Sequence, residues 1–379
     1  MPIYKMNGSK YGKQKYRVRI NYQDSFGNNR QIDRIAYGAA EAKELERELN
    51  YKLKEATPDA SLTVGALYDE YIKSKRSKVR ESSLHKTMGI LNNHILPSLS
   101  NVKLQKLNSK IMQMWEDEMN AKTTADGRLL GIKTKQNAYS EFKSMLNYAV
   151  KMDYISKNPL SKIDNFKDAE GIKQEMQYYT AEEFKKFISA ARDSAENGRN
   201  IVGWDYYVFF NIAFYTGMRK GEIHALKWTD IDGEYISIKR SITQKLKGND
   251  KETPPKNKSS IRTIQMPKPL INVLNEHKER LTANGSFDEN FRICGGERPL
   301  RDTSIENANK KYAKAAGVKK IRIHDFRHSH ASVLANSGIN IQEVARRLGH
   351  AKIEMTWNTY SHLYPKEEER ATEILNKIC

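Results

Sequence analysis

The segment from His324 to Tyr360 combines side chains that could bind a phosphate group and attack it. His324 and Arg327 are three residues apart, His350 directly follows a glycine, and Tyr360 comes ten positions after His350. Guanidinium groups bind phosphate oxygens, imidazoles exchange protons near neutral pH, and a phenol is a potential nucleophile. Together these residue types suggest a phosphate site that contains a nucleophile.

Predicted helix ends would bring these groups together. A helix that begins near Asp325 places Arg327 in its first turn, where free backbone N–H groups and the helix dipole favour an anion, and His324 shares that face. The run INIQEVARRL predicts a second helix, which ends at Gly349 and leaves His350 at its boundary.

A metal site is the less favoured interpretation of the histidines here. His324, His328 and His330 could be taken for a metal cluster, but the sequence here is not a HExxH motif and no nearby carboxylate motif completes a site. We therefore interpret His328 and His330 as structural residues.

Two cationic residues upstream are further candidates. An apolar helix stops at Thr216-Gly217 and restarts after Arg219, and an arginine at such a break either reaches a ligand or simply pairs with Glu222. EYISIKR and IRTIQMP alternate as strands do, and the lysine-rich turn between them carries Lys256 and Lys258. That turn either delivers an ammonium group into a site or holds only solvated charges.

Size and charge indicate several domains and a polyanionic partner. The 379 residues include 65 Lys and Arg against 46 Asp and Glu, a formal net charge of +19, with a mean hydropathy of −0.76. Two or three domains are expected at this length. Nucleic acid is the first partner to consider, although such an excess can also serve solubility alone.

Several protein classes are excluded by simple patterns. Cys294 and Cys379 form no CxxC pair, which argues against a thiolate zinc cluster and a disulfide framework. The N-terminus lacks an apolar signal region, and no run of about 18 apolar residues occurs. We expect a cytoplasmic protein that does not enter the membrane.

The N-terminal segment predicts a small basic β-sheet followed by a helix. KYRVRINY alternates apolar and basic residues, DSFGNN supplies a turn, RQIDRI resembles a second strand, and a helix runs from about residue 38 to 55. Residues 1–35 hold eight basic and two acidic residues. Strands can read the major groove, so DNA binding and a solvated face are equally open. The candidate contacts are Lys15, Arg17, Arg19, Arg30 and Arg34.

A helical bundle is predicted next, with apolar positions such as Leu84, Leu91, Phe142 and Met145 at helical spacing. Its basic edge could follow a phosphate backbone or be a solvated helix face; it comprises Lys73, Lys75, Arg76, Lys78 and Arg80. A polar linker follows Asn158-Pro159, and Thr180 with acidic residues after it resembles a helix N-cap.

The chain as a whole resembles the tyrosine recombinases of the integrase class, in particular those of Gram-positive phages and conjugative transposons. The resemblance lies in TGMRKGEIHALKWTDI, PPKNKSSIRTI, HDFRHSHAS, RRLGH and NTYSH, in that order, and in VKMDYISKNPL at the end of the bundle. It covers nearly the whole chain.

This resemblance implies a role for each matched residue. Arg219 and Arg327 would clamp one DNA phosphodiester, Tyr360 would form a 3′-phosphotyrosyl bond, and Lys256 would protonate the departing 5′ oxygen. His324 matches the general acid/base position and His350 the second phosphate contact, while Glu222 would orient Arg219. Neither metal, ATP nor any other cofactor is implied. Tyr364 is a rival nucleophile, but only Tyr360 fits the TYSH motif.

The resemblance also implies a multidomain α+β fold. A small β-sheet with a helix would bind arm-type DNA at 1–60, an all-α core-binding bundle would span 61–165, and a mainly α catalytic domain with a small β-sheet would span 166–379. The implied assembly is a homotetramer on two DNA duplexes, with core and arm sites, a small excision factor and a host DNA-bending protein. The C-terminal tail would form a short helix that docks on a neighbouring protomer.

Two other functions use the same residues or a subset of them. A type IB topoisomerase-like enzyme would relax supercoils without joining partners, but the basic N-terminal sheet favours a protein that bridges two kinds of DNA site. A non-catalytic DNA-binding regulator would not need the complete set of reactive residues. We therefore expect a site-specific recombinase.

Overall fold

A computed structural model describes residues 3–10, 12–23, 29–56, 62–168, 176–197, 202–244, 250–254 and 258–364, together with 372, 375 and 376. The chain divides into two compact units, Met1–Ile172 and Lys173–Cys379. The first unit holds two separate hydrophobic cores, one in the N-terminal sheet and helix and one in the helices that follow. No described helix is long and apolar enough to cross a bilayer.

The N-terminal residues form an antiparallel sheet in the order β1 (Ile3–Lys10), β2 (Lys13–Gln23), β3 (Asn29–Tyr37), followed by α1 (Ala39–Ala56). The predicted alternation in β2 is confirmed, because Val18 and Ile20 are buried together with Ala36 and Ala42. This leaves the side chains between them on the outer face.

The strand register corrects one expectation about the basic residues of this sheet. Arg34 lies opposite Val18 and Arg30 opposite Tyr22, whereas Asp33 lies opposite Arg19. Residues directly opposite each other share a face. Arg30 and Arg34 therefore lie on the face that carries Val18, and the outer basic face holds Lys15, Arg17 and Arg19.

The helical bundle that follows has the predicted helices around an apolar core. Trp115, Phe142 and Leu91 are among its fully buried side chains, and the Trp115 indole N–H donates to the His94 carbonyl oxygen at 2.8 Å. The helices are α2 (Val64–Arg76), α3 (Glu81–His94), α4 (Leu96–Leu99), α5 (Ser109–Ala121) and α6 (Ile132–Lys151).

The second unit is mainly helical, and its core is rich in aromatic rings. Phe187, Phe210 and Phe326 pack with ring centroids 5.0–5.3 Å apart. Thr180 forms the predicted N-cap, as part of a capping box with Glu183. The helices are α7 (Ala181–Glu196), α8 (Val202–Thr216), α9 (Lys220–Ala225), α10 (Lys268–Ala283), α11 (Asp302–Ala315), α12 (Asp325–Asn336), α13 (Ile341–Leu348) and α14 (Ile353–Tyr360).

Five short strands complete the second unit: β4 (Ile231–Asp232), β5 (Tyr235–Ile238), β6 (Ser241–Thr243), β7 (Lys251–Thr253) and β8 (Arg262–Gln265). The predicted pairing of EYISIKR with IRTIQMP is confirmed as β5 against β8, with β4 on the other side of β5. The segment between them was predicted as one long turn. That prediction was incomplete, because β6 and β7 form a ladder of their own inside it.

Candidate active site

The break between α8 and α9 places Arg219 at the N-cap of α9, as predicted. Gly217 makes the break with a φ of +64°, and a Cβ there would lie 2.7 Å from the Cδ2 atom of His330. Only glycine satisfies both the left-handed backbone and this close approach. The side chain of Arg219 is 38% exposed, so it can reach a ligand.

Glu222 joins Arg219 to a second guanidinium group. Its Oε1 accepts from Nη1 of Arg219 and its Oε2 from Nη2 of Arg262, both at 2.9 Å. Burial acts to raise the pKa of Glu222, but Arg262 and Arg219 outweigh it and hold the pKa below its ordinary value. Glu222 therefore forms the ion pair with Arg219 that was one of the two alternatives from the sequence, and it is placed to orient that arginine.

Arg262, which is 9% exposed, braces the helix end that carries His350. Its Nε donates to the Arg347 carbonyl oxygen at 2.7 Å. The predicted helix stop at Gly349 is confirmed, with φ +67°, and a Cβ there would meet Nη1 of Arg262 at 2.9 Å. The glycine thus permits both the helix end and the passage of the arginine.

Arg327 lies in the first turn of α12, as predicted, and is 3% exposed. Its Nη1 donates to the Gly217 carbonyl oxygen at 2.8 Å and its Nη2 to the Leu348 carbonyl oxygen at 2.7 Å. A guanidinium group has five N–H donors. The two hydrogen bonds to backbone carbonyl oxygens therefore fix the plane of the guanidinium group and leave three N–H donors for a ligand.

The site has an excess of positive charge. Arg219, Arg262 and Arg327 lie close enough to interact, and Glu222 is the one carboxylate that faces all three among the described residues. Burial and the neighbouring Arg219 lower the pKa of Arg327 to about 9. Such repulsion between cations is relieved when an anion binds, so the geometry favours phosphate.

Two imidazoles border this cationic group. His324 is the N-cap residue of α12, and His350 is half-buried with its Nδ1 2.8 Å from Oγ1 of Thr356. Desolvation, followed by neighbouring positive groups, lowers the pKa of each to about 4. Both rings are therefore neutral near pH 7 and each can donate one N–H.

Tyr360, the last residue of α14, reaches the same region and contacts His328. Its hydroxyl lies 2.6 Å from Nδ1 of His328, and the residue is 1% exposed. Burial raises the pKa of Tyr360 to about 12, with Arg327 acting in the opposite direction. The phenol must therefore be uncovered and lose its proton before it can attack phosphorus.

His328, which the sequence suggested to be structural, contacts the hydroxyl of Tyr360, a contact that the sequence did not predict. His330 does fit that description, because it is buried and its Nδ1 lies 2.8 Å from the Phe214 carbonyl oxygen. Burial lowers the pKa of His330 to about 3. The two histidines therefore contact different partners.

Because the pKa values of these histidines are lowered, we expect the second unit to lose stability in mild acid. His330 and His350 have folded-state pKa values of about 3 and about 4, below the ordinary 6.5. The unfolded chain then binds more protons below pH 6.5, so the stability present above that pH is lost progressively as the pH falls toward 4. We expect the thermal midpoint to be flat above about pH 7 and to fall from there to about pH 5. His330→Asn should weaken this dependence, and a constant midpoint would contradict the assignment.

Two predicted elements around the site need separate comment. Lys256 lies outside the described residues, as does most of the predicted C-terminal tail helix. Tyr364, the rival nucleophile, packs in the same small apolar cluster as Tyr360, with Leu348 and Val344. Burial raises the pKa of Tyr364.

The predicted DNA contacts have different surroundings in the structure. Lys15, Arg17 and Arg19 lie on the outer face of the sheet, where Arg19 pairs with Asp33 at 2.9 Å. Lys73, Arg76, Lys78 and Arg80 are exposed at the bundle edge. Lys75 differs, because its Nζ donates to Tyr71, Thr87 and Glu141 at 3.0–3.1 Å. All three of its N–H donors are used, so we assign Lys75 to the bundle.

A pair of matched variants separates these two roles. Lys75→Met should lower the free energy of unfolding by about 1–3 kcal/mol, because Glu141 loses its cation, and should leave the salt dependence of duplex binding unchanged. Lys73→Met should leave the stability unchanged. If Lys73 contacts phosphate, the negative slope of log K against log salt should become less steep by about 1. Urea unfolding and salt titration of duplex binding measure both, and reversed results would contradict the assignment.

Comparison with protein families gives two matches. Residues 177–367 match the phage integrase family, and residues 63–120 match the phage integrase N-terminal SAM-like domain. A relative in Caldanaerobacter subterraneus, described as a tyrosine recombinase XerC-like protein, is 30% identical over 99% of both chains. The ICEBs1 integrase of Bacillus subtilis is 27% identical over the full length of both.

Solved structures show the same fold. The Tn1549 transposon integrase in complex with a circular intermediate DNA superimposes with a TM-score of 0.63 at 21% identity, over 84% of this chain and all of the other. A lambda integrase tetramer bound to a Holliday junction gives a TM-score of 0.58 at 17% identity, over 97% of each chain.

Proposed function

The chain belongs to the phage integrase family of tyrosine-type site-specific DNA recombinases, and we propose that Tyr360 is the nucleophile with which it cuts and rejoins DNA. One observation carries this proposal: a buried tyrosine and two arginines from distant parts of the chain meet at one site. Arg219 follows α8, Arg327 begins α12, and Tyr360 ends α14. A structural tyrosine would not need uncompensated cations beside it.

The two arginines would hold the phosphate that is attacked. Arg327 keeps three N–H donors after its bonds to Gly217 and Leu348, and Arg219 is oriented by Glu222. Negative charge grows on the non-bridging oxygens as a fifth oxygen approaches phosphorus. Rigid guanidinium groups that are already positioned stabilise that charge without further rearrangement.

The covalent step exchanges one phosphodiester for another. The Tyr360 oxygen forms a bond to phosphorus, the bond from phosphorus to the 5′ oxygen breaks, and a 3′-phosphotyrosyl ester results. The phenol proton must leave. His328 contacts the hydroxyl at 2.6 Å, and His324, at the family's general acid/base position, packs against His328 with ring centroids 5.2 Å apart. His350 would donate to a phosphate oxygen. Attack by a second 5′ hydroxyl reverses the step, and neither metal nor ATP takes part.

The departing 5′ oxygen needs a proton, which we assign to Lys256. If sulfur replaces that bridging oxygen in the substrate, the leaving group is a thiolate, which departs without protonation. Lys256→Ala should therefore cleave the normal duplex slowly and the sulfur-bridged duplex at nearly the rate of the unaltered protein. Equal defects on both duplexes would remove Lys256 from this role.

The partners follow from the family and from the basic surfaces. We infer that the protein acts on bacterial DNA in the cytoplasm as a tetramer on two duplexes, in integration or excision of a mobile element. The bundle edge would contact core sites and the outer face of the N-terminal sheet would contact arm sites. An excision factor and a host DNA-bending protein would complete the assembly.

Recombination between paired attachment sites tests this function. Two plasmids that each carry one site should yield joined products in the presence of EDTA, because no divalent ion takes part in the chemistry. Relaxation of a supercoiled plasmid without joined products would instead indicate a topoisomerase. Loss of strand cleavage on chelation would contradict the metal-free reaction.

A further inference from the structure

The contact between His350 and Thr356 has no part in the mechanism described so far. Oγ1 of Thr356 lies 2.8 Å from Nδ1 of His350, and Thr356 is 0% exposed. His350 follows the end of α13, whereas Thr356 lies in the middle of α14. The contact therefore joins two helices of the site through polar atoms in a buried place.

This hydrogen bond determines which nitrogen of His350 carries the proton. A threonine hydroxyl can either donate or accept. If it donates to Nδ1, the proton of the neutral ring is on Nε2. If it accepts from Nδ1, Nε2 holds a lone pair, which repels a phosphate oxygen. Only the first arrangement makes His350 a phosphate donor.

We propose that Thr356 is a positioning residue whose hydroxyl donates to Nδ1 of His350 and so presents the Nε2–H group to the scissile phosphate. This inference rests on the proposed function, which gives His350 its phosphate contact. Without the hydroxyl bond the two tautomers are closer in free energy, and the ring is free to turn.

The same contact couples the phosphate donor to the nucleophile. Thr356 and Tyr360 are four residues apart on α14 and are both buried, so they share a face of that helix. Docking of α14 therefore positions the tyrosine and selects the tautomer of His350 together. Tyr360 is the terminal residue of the helix, so its side chain can move while Thr356 keeps its contact.

A packing role for Thr356 is the alternative, and three substitutions separate the two. Thr356→Val keeps the shape of the side chain and removes the hydroxyl. Thr356→Ser keeps the hydroxyl and removes a methyl group. Thr359→Val is the matched control, because it removes a hydroxyl from the same helix that, within the described part of the chain, donates to the Met355 carbonyl oxygen alone, at 2.8 Å.

The experiment combines a tautomer measurement with a cleavage rate on the full-length chain. Nitrogen-15 NMR of the histidine rings, with His350 assigned through His350→Gln, reports which nitrogen carries the proton. Single-turnover adduct formation on a nicked attachment-site duplex gives the rate. Thr356→Val should lower the Nε2–H population and slow adduct formation by about 10- to 100-fold, less than complete loss of a charge-stabilising donor. Thr356→Ser and Thr359→Val should stay near the unaltered rate.

A double variant decides between positioning and packing even if Thr356→Val is less stable. If Thr356 acts through His350, adding Thr356→Val to His350→Gln should cause no further loss. An additive loss, an unchanged tautomer in Thr356→Val, or a Thr356→Ser variant as slow as Thr356→Val would overturn the inference. Adduct formation by the unaltered chain would still support the proposed function in each of these cases, whereas its absence would reject both.

Discussion

Replacing Arg327 with lysine should slow covalent cleavage by about 10²- to 10³-fold, the range for removing a preorganised donor from a charge-stabilising site. The guanidinium group bonds to the carbonyl oxygens of Gly217 and Leu348 and still has three N–H donors. A lysine keeps the charge but has one nitrogen, so it cannot span two carbonyl groups and clamp a phosphate as well. Single-turnover adduct formation on a nicked attachment-site duplex measures the loss.

The control for this variant is an arginine in the same unit with no part in the site. Arg346 is exposed on α13 and pairs with Glu343 at 2.6 Å. Arg346→Lys should cleave at close to the unaltered rate, and both variants should bind duplex with similar affinity. A loss of less than tenfold in Arg327→Lys would contradict its assignment as a phosphate clamp.

Replacing Glu222 with leucine should lower the free energy of unfolding of the second unit by about 3–5 kcal/mol, as expected when one partner of a buried ion pair is removed. Glu222 is 4% exposed and Arg262, its partner at 2.9 Å, has a 5% exposed side chain. Without the carboxylate, Arg262 and Arg219 repel each other in a site already short of negative charge. Urea unfolding with hydrogen exchange in the second unit measures the loss.

A compensating substitution separates stability from catalysis in this network. Adding Arg262→Met to Glu222→Leu should recover much of the stability, because apolar residues can replace a buried ion pair at little cost. It should not recover cleavage, because Arg219 still lacks its orienting carboxylate. Glu343→Gln, which removes an exposed partner, should cost no more than about 1 kcal/mol. A loss that small for Glu222→Leu would contradict its structural role.

The parts of the site that depend on local sequence could be predicted. Helix caps and breaks involve residues within a few positions of each other, so Thr180, the Gly217 break, the start of α12 and the Gly349 stop were all identified from pattern. The alternation of β2 likewise predicted which of its side chains are buried.

The parts that depend on tertiary packing could not be predicted. Arg262 lies 40 residues from Glu222, and His328 lies 32 residues from Tyr360, so no periodicity marks either pair. Lys75 had the same signature as its basic neighbours, and only the approach of Glu141 from α6 distinguishes it. Arg30 and Arg34 needed the strand register, which a run of alternating residues does not fix.

The most direct measurement of the central claim is the identity of the residue that becomes linked to DNA. The protein is incubated with a nicked attachment-site duplex, the adduct is digested, and the modified peptide is sequenced by mass spectrometry. We expect the 3′ phosphate on Tyr360, no adduct from Tyr360→Phe, and an adduct at a similar rate from Tyr364→Phe. An adduct that persists in Tyr360→Phe, or one that maps to Tyr364, would contradict the account.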